Sequence, residues 1–225
     1  MSSGHAGHTH TLGMAKQTLR LAFFLTLFIL AAELIGGFLA NSLALLSDAG
    51  HVLTDIFALG LAWFAMAQAE RPANERKTFG YHRVGILSAL VNAFTLILVA
   101  LAILWEAVQR FQHPQPIQPL IMFLAAGIGI AVNLYIGFGL QKGGNNLNVR
   151  AAMLHVFGDV GASVGVIIAG IVILLTGWTL ADPLLSVAIA GLIAIGAWRI
   201  LHEITDILLE ATPKGLNMAT LVQDM

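Results

Sequence analysis

Six apolar runs constrain this chain more than any other feature. They cover residues 21–40, 43–69, 84–108, 119–140, 151–176 and 180–201. A helix needs about 20 apolar residues to cross a bilayer. Backbone groups in hydrocarbon must satisfy their own hydrogen bonds, so each run predicts a helix. The fold expected is all-α: a polytopic membrane protein with six transmembrane helices. Only 10% of the residues are charged and 58% are hydrophobic, against roughly 25% charged in soluble domains.

Loop charge orients the spans. Lys16 and Arg20 precede the first span, and Arg71, Arg76, Lys77 and Arg83 lie between the second and third. Lys142 and Arg150 lie between the fourth and fifth, and Arg199 and Lys214 flank the end of the sixth. The other loops, 41–42, 112–118 and 177–182, are poor in Lys and Arg. The positive-inside rule then places both termini in the cytoplasm, N-in and C-in. Residues 1–17 read as a His-containing cytoplasmic tail and 18–210 as the transport domain. Residues 211–225 read as the start of a cytoplasmic domain that is truncated or absent. The small polar residues of 2–10 predict disorder, with His5, His8 and His10 as a metal-collecting arm or simply a solvated tail. The polar opening 1–16 lacks the basic-then-apolar order of a signal peptide.

Within the apolar runs, ionisable groups are costly and mark sites or pathways. His51 and Asp55 are four residues apart in the second run; His155 and Asp159 repeat that spacing in the fifth. Residues i and i+4 share one helix face, about 6 Å apart along the axis. The chain has no Cys, so a metal must be held by nitrogen and oxygen. Two imidazoles and two carboxylates suit tetrahedral Zn²⁺. They form a neutral assembly with a divalent cation, which lowers the cost of burying it. Metal and protons compete for such ligands, and an unperturbed imidazole titrates near ~6.5, which makes the histidines the exchanging groups.

Depth is the difficulty. The run ends place His51 and Asp55 toward the outer side and His155 and Asp159 toward the inner side, offset by about one to two helical turns. A fifth helix beginning earlier, near Asn146, would reduce the offset. Gly158, Gly161, Ala162 and Gly165 form a small-residue stripe that favours close helix packing, with Gly50 and Gly60 serving the second helix likewise. Asp48, on the same face as His51 and Asp55, reads as an exit-side proton or metal relay, or as a packing group. Asn92 and Asn133 read as interhelical hydrogen-bonding groups, and Glu33 as paired or facing a vestibule. No enzyme is indicated. Gly161-Ala162-Ser163-Val164-Gly165 matches a hydrolase elbow but lies in mid-helix rather than at a strand–turn–helix junction. His-Glu-x-x-His is absent.

Residues 42–55, Ser-Leu-Ala-Leu-Leu-Ser-Asp-Ala-Gly-His-Val-Leu-Thr-Asp, resemble the second-helix signature of the cation diffusion facilitator zinc transporters. So do Phe79-Gly80-Tyr81-His82-Arg83 at the third helix and His155-Val156-Phe157-Gly158-Asp159 in the fifth. The resemblance covers about Leu19 to Pro213. It implies a homodimeric, proton-coupled exporter of divalent cations, with His51, Asp55, His155 and Asp159 as the central ligands. It implies Zn²⁺ as substrate, with Cd²⁺ or Co²⁺ as further cargo, and protons as counter-ion. In that family a His at the first position of the second-helix pair goes with zinc preference. His82 matches a loop histidine that joins a cytoplasmic-side metal site in some members, and otherwise reads as a helix-start residue. Most members continue into a ferredoxin-like cytoplasmic domain that strengthens the dimer, of which only the first residues after Pro213 have a counterpart here.

The function expected is therefore a proton-coupled zinc antiporter in a bacterial inner membrane. The alternatives are a passive divalent-metal channel and a non-transporting membrane sensor or scaffold. The partners are metal ions, the lipid bilayer and a second copy of the chain. The net charge of −1 gives no reason to invoke nucleic acid.

Overall fold

The computed structural model describes residues 6–72, 80, 81, 83–141 and 147–211. It contains six helices: α1 (Ala6–Ala40), α2 (Leu43–Ala69), α3 (Val84–Gln112), α4 (Pro119–Gln141), α5 (Leu147–Thr176) and α6 (Ala181–Leu208). All six are long and apolar enough to cross a membrane, and there is no strand among the described residues. His5, His82 and residues 212–225 lie outside the described residues. His8 and His10 lie on α1, where the backbone alone is described. The disorder expected for residues 2–10 thus gives way to helix from Ala6. Good helix formers such as Ala15, Lys16, Gln17 and Leu19 lead into the apolar span. At the other end α6 stops at Leu208, before Pro213, and the chain turns through a left-handed Glu210 (φ 52°).

Two packed groups make the core. Helices α1, α2, α4 and α5 meet around Ala40, Leu45, Met122, Ala126 and Val166. Helices α3 and α6 pair through Leu96, Ala100 and Ile103 against Ile189, Ala190 and Ile193. Helix α2 belongs to the first group and also packs on α3 and α6, so it joins the two.

Glycine sets the closest helix approaches, but at positions other than the expected stripe. A β-carbon at Gly36 would lie 2.5 Å from Ala125 Cβ, and one at Gly170 would lie 2.6 Å from the Phe123 ring. These pin α1 to α4 and α4 to α5. Gly165 meets Leu185 at 3.2 Å and Gly50 meets Val99 at 3.4 Å, but Gly60, Gly158 and Gly161 have nothing within 4 Å. The stripe therefore packs at only one of its three glycines. On α5 the other two lie where no neighbouring helix approaches.

The turn between α1 and α2 is held inside the bundle. Ser42 caps α2: its Oγ accepts from Leu45 N at 3.2 Å and donates to Asp182 Oδ1 at 2.5 Å. Leu43 N and Ala44 N donate to Asp182 at 2.7 and 3.2 Å. The first turn of a helix has unpaired N–H groups, and here a carboxylate from α6 satisfies them. Asp182 has 0% exposure. Arg110, at the end of α3, stands 3.9 Å from Asp182. It donates to the Asn41 carbonyl at 2.6 Å and to Asn41 Oδ1 at 3.2 Å. Asn41 is left-handed (φ 53°), a conformation that Asn tolerates better than most residues.

The pairing of α2 with α5 removes the depth offset expected from the run ends. Helices α2 and α5 run antiparallel in one continuous register. Asp55 meets His155, His51 meets Asp159 and Asp48 meets Ser163, and Leu45 and Val166 share one apolar cluster. Carried to its end, that register takes α5 about nine residues, or ~14 Å at 1.5 Å per residue, past the start of α2. The ends of the two apolar runs therefore do not lie at one level, and depths counted from them are misleading. The start of α5 at Leu147 also agrees with the earlier beginning considered above.

Candidate metal centre

Two helices supply the four expected side chains. Helix periodicity places His51 with Asp55 on α2 and His155 with Asp159 on α5, and the antiparallel register turns the two pairs face to face. His155 Nε2 lies 3.3 Å from Asp55 Oδ2 and 3.7 Å from Asp159 Oδ2. His51 Nε2 lies 3.8 Å from Asp55 Oδ2 and 4.0 Å from Asp159 Oδ1. The two imidazole centroids are 6.0 Å apart. Ligand atoms at 2.0–2.2 Å from a tetrahedral ion stand about 3.3–3.6 Å from one another. The four imidazole–carboxylate spacings lie within a few tenths of an ångström of that range.

The four are not equivalent. His51, Asp55 and His155 each offer one atom within 4.8 Å of the others. Asp159 approaches the two imidazoles through different oxygens, so its carboxylate must turn to share one ion with all three. The His51 Nδ1 is buried without a hydrogen-bond partner among the described residues. A ligating imidazole usually donates its second ring N–H to a fixed acceptor. Nothing of that kind orients the His51 ring. The neighbouring Thr54 hydroxyl donates at 2.7 Å to the His51 carbonyl instead.

Exposure falls along the site. The His155 side chain is 52% exposed and that of Asp159 is 14%; Asp48, one turn nearer the start of α2, is 2% exposed. The four side chains are thus open toward the Ala69 end of α2 and closed toward the Leu43 end. Asp48 stays off the cluster; its Oδ2 accepts from Ser163 Oγ at 3.3 Å.

Three readings of polar residues need correction. Glu33 is neither paired nor facing a vestibule: it is 1% exposed, and its Oε2 has no hydrogen-bond partner among the described residues. Asn92 Oδ1 is likewise buried and unpartnered. Among the described residues, neither Asn92 nor Asn133 bonds to another helix. Both were read from polarity alone, which does not say what stands opposite.

Sequence reasoning missed Asp182 and Arg110, which read as loop charges. The Asp182-Pro183 step at a helix start, opposite a Ser42 cap, is the signal that could have found them. Ser163 was visible only as the serine of a hydrolase-like pattern. Its hydroxyl instead serves Asp48.

Comparison with known proteins agrees with this architecture. The profile of the family described as the cation efflux transmembrane domain matches residues 19–209. The zinc transporter ZitB of Pectobacterium atrosepticum is 47% identical over 220 residues, covering 97% of this chain and 69% of that protein. The cadmium, cobalt and zinc/H(+)-K(+) antiporter of Bacillus subtilis is 42% identical, covering 96% and 71%. The metal cation efflux system protein CzcD of Cupriavidus metallidurans is 41% identical, covering 97% and 69%. With six apolar helices, a family profile matched over most of its length and bacterial relatives at this identity, the chain belongs to the cation efflux, or cation diffusion facilitator, family and is an integral protein of the bacterial inner membrane.

Proposed function

We propose that the chain exports Zn²⁺ from the cytoplasm in exchange for protons, with Cd²⁺ and Co²⁺ as further cargo, and that His51, Asp55, His155 and Asp159 hold the ion in transit. The observation that carries this reading is the approach of both imidazoles to both carboxylates, across α2 and α5, at 3.3–4.0 Å. Zinc, cadmium and cobalt in the names of the relatives, and the proton in one of them, support the choice of cargo and counter-ion.

The chemistry follows from the donor set. Imidazole and carboxylate bind a divalent ion only when deprotonated, so the metal displaces protons as it enters and protons displace the metal as it leaves. Two carboxylates and a divalent ion sum to zero charge, which makes the loaded site tolerable in a low-dielectric interior. With both termini in the cytoplasm, the Ala69 end of α2 faces the cytoplasm. His155, the most exposed of the four, and Asp55 beside it then lie on the entry side, and the closed Leu43 end is the barrier to release. The transport unit in this reading is residues 18–210, acting as a homodimer. Residues 1–17 form a cytoplasmic tail, and 211–225 lead toward a cytoplasmic domain.

Zinc uptake into proteoliposomes under an imposed pH gradient tests the proposal. Uptake should rise with the gradient and collapse when the gradient is dissipated. Uptake of the same size with and without the gradient would mean a passive channel, and saturable binding without uptake would mean a sensor or scaffold.

A further inference from the structure

Beyond the four metal-facing side chains, toward the closed end, lies a second group of oxygen atoms. Asp48 on α2 accepts from Ser163 Oγ on α5 at 3.3 Å. Glu33 on α1 reaches the same place. A β-carbon at Gly129 of α4 would stand 3.1 Å from Glu33 Oε1 and 3.2 Å from Ser163 Oγ. Gly129 therefore leaves the room in which a carboxylate from α1 and a hydroxyl from α5 come close. Glu33 and Asp48 are 1% and 2% exposed, and Glu33 Oε2 is buried with no hydrogen-bond partner among the described residues.

Among the described residues, no fixed positive charge balances these two carboxylates. The apolar spans of α1, α2, α4 and α5 contain neither Lys nor Arg. Arg110 of α3 is committed to Asn41, Glu106 and Asp182. The charged neighbour from α5 is Asp159, which is also acidic. From α2 the next titratable group is His51, and from α5 it is His155; α4 contributes the backbone of Gly129. A divalent ion held by His51, Asp55, His155 and Asp159 is already neutralised there. A buried carboxylate without such compensation takes up a proton.

We infer that Glu33 and Asp48, on either side of Ser163, hold a further proton that moves opposite to the metal, at a site separate from the four metal-facing side chains and additional to the protons that those four exchange. This rests on the exchange proposed above. A proton arriving from the closed end adds an O–H bond to one of the two carboxylates and removes a negative charge beside Asp159. That lowers the hold of the four ligands on a divalent cation. Metal binding lowers the pair's hold on its proton by the same factor, because such coupling is reciprocal. A proton held there adds to the exchange at the four ligands without occupying their cage.

Glu33→Gln keeps the shape of the side chain and removes the proton-carrying group; Asp48→Asn does so while leaving an oxygen for Ser163 to donate to. In proteoliposomes of the full chain, both variants should still bind zinc with the parent's stoichiometry. Zinc should still run down its own gradient, while the acceleration by a pH gradient falls well below the parent's. The second variant decides the matter should the first fail to fold. Acceleration equal to the parent's in the folded variants would overturn the inference. So would loss of one bound zinc in both, which would make the pair a metal site. Should the parent itself carry no zinc, the exchange reading falls. A pH jump on the metal-free protein, read with an indicator dye, then tests the pair alone. Proton uptake that disappears in Glu33→Gln and Asp48→Asn sustains it, and uptake unchanged in the variants refutes it.

Discussion

Asp55 Oδ2 stands 3.3 Å from His155 Nε2, the shortest of the contacts between the imidazoles and carboxylates of the candidate centre, and the two residues belong to different helices. Neither helix can shift along the other without opening this contact. The centre is therefore a property of the α2–α5 register as much as of the four side chains.

Asp55→Asn and His155→Ala should abolish zinc uptake in proteoliposomes and leave the helical content unchanged. Removal of outer-shell partners alone typically costs 10–100-fold in metal affinity, so loss of a ligand should cost at least about 100-fold. Titration calorimetry with zinc, paired with circular dichroism, checks both halves. Flux like the parent's in either variant would remove these residues from the site.

Zinc affinity should fall steadily as pH falls. The sign follows from the donors: each must give up its proton to bind, so acid favours the metal-free form. Calorimetry in buffers of differing ionisation enthalpy counts the protons released and should return a positive number that grows toward acid pH. A pH-independent affinity would exclude imidazole ligation.

Asp182→Ala should destabilise the fold without weakening zinc binding. The substitution leaves Leu43 N and Ala44 N at the start of α2 without their acceptor and takes from Arg110 one of its two carboxylate neighbours, Glu106 being the other. A buried donor left unpaired costs about 1–3 kcal/mol. Thermal melts in detergent should show a clear fall in Tm. Zinc affinity of the folded fraction should match the parent, because the network lies at the far end of α2 from Asp55.

Gly36→Ala and Gly161→Ala should differ sharply. At Gly36 the new methyl meets Ala125 Cβ at 2.5 Å, whereas at Gly161 it meets nothing within 4 Å. Overpacking of this kind costs about 1–3 kcal/mol. Melting temperatures of the two variants, measured side by side, should show Gly36→Ala as the lower.

The helices were legible in the sequence because hydrocarbon permits few alternatives: each long apolar run had to become a helix. The His51–Asp55 and His155–Asp159 pairs were legible for a related reason, since charge inside such runs stands out. Their meeting was not. It depends on the register of α2 against α5, which packing along both helices sets and which the ends of the apolar runs do not reveal. Glu33 was visible as a polar residue, but its lack of a partner depends on what α4 and α5 place opposite it. The packing roles of Gly36 and Gly170, against the open positions of Gly158 and Gly161, likewise follow from which neighbour approaches.

The capped start of α2 has an electrical consequence in the exchange proposed above. His51 lies only about 12 Å from the first residue of α2, and this stretch is the tightly packed one. With the entry side of that proposal open to water, the voltage across the membrane would drop mainly over this short wall. An elementary charge that crosses it exchanges about 2.3 kcal/mol for every 100 mV. One divalent ion traded for two protons carries no net charge through the wall and is indifferent to voltage. A trade of one for one moves a charge, and the cell's membrane potential then acts on every cycle.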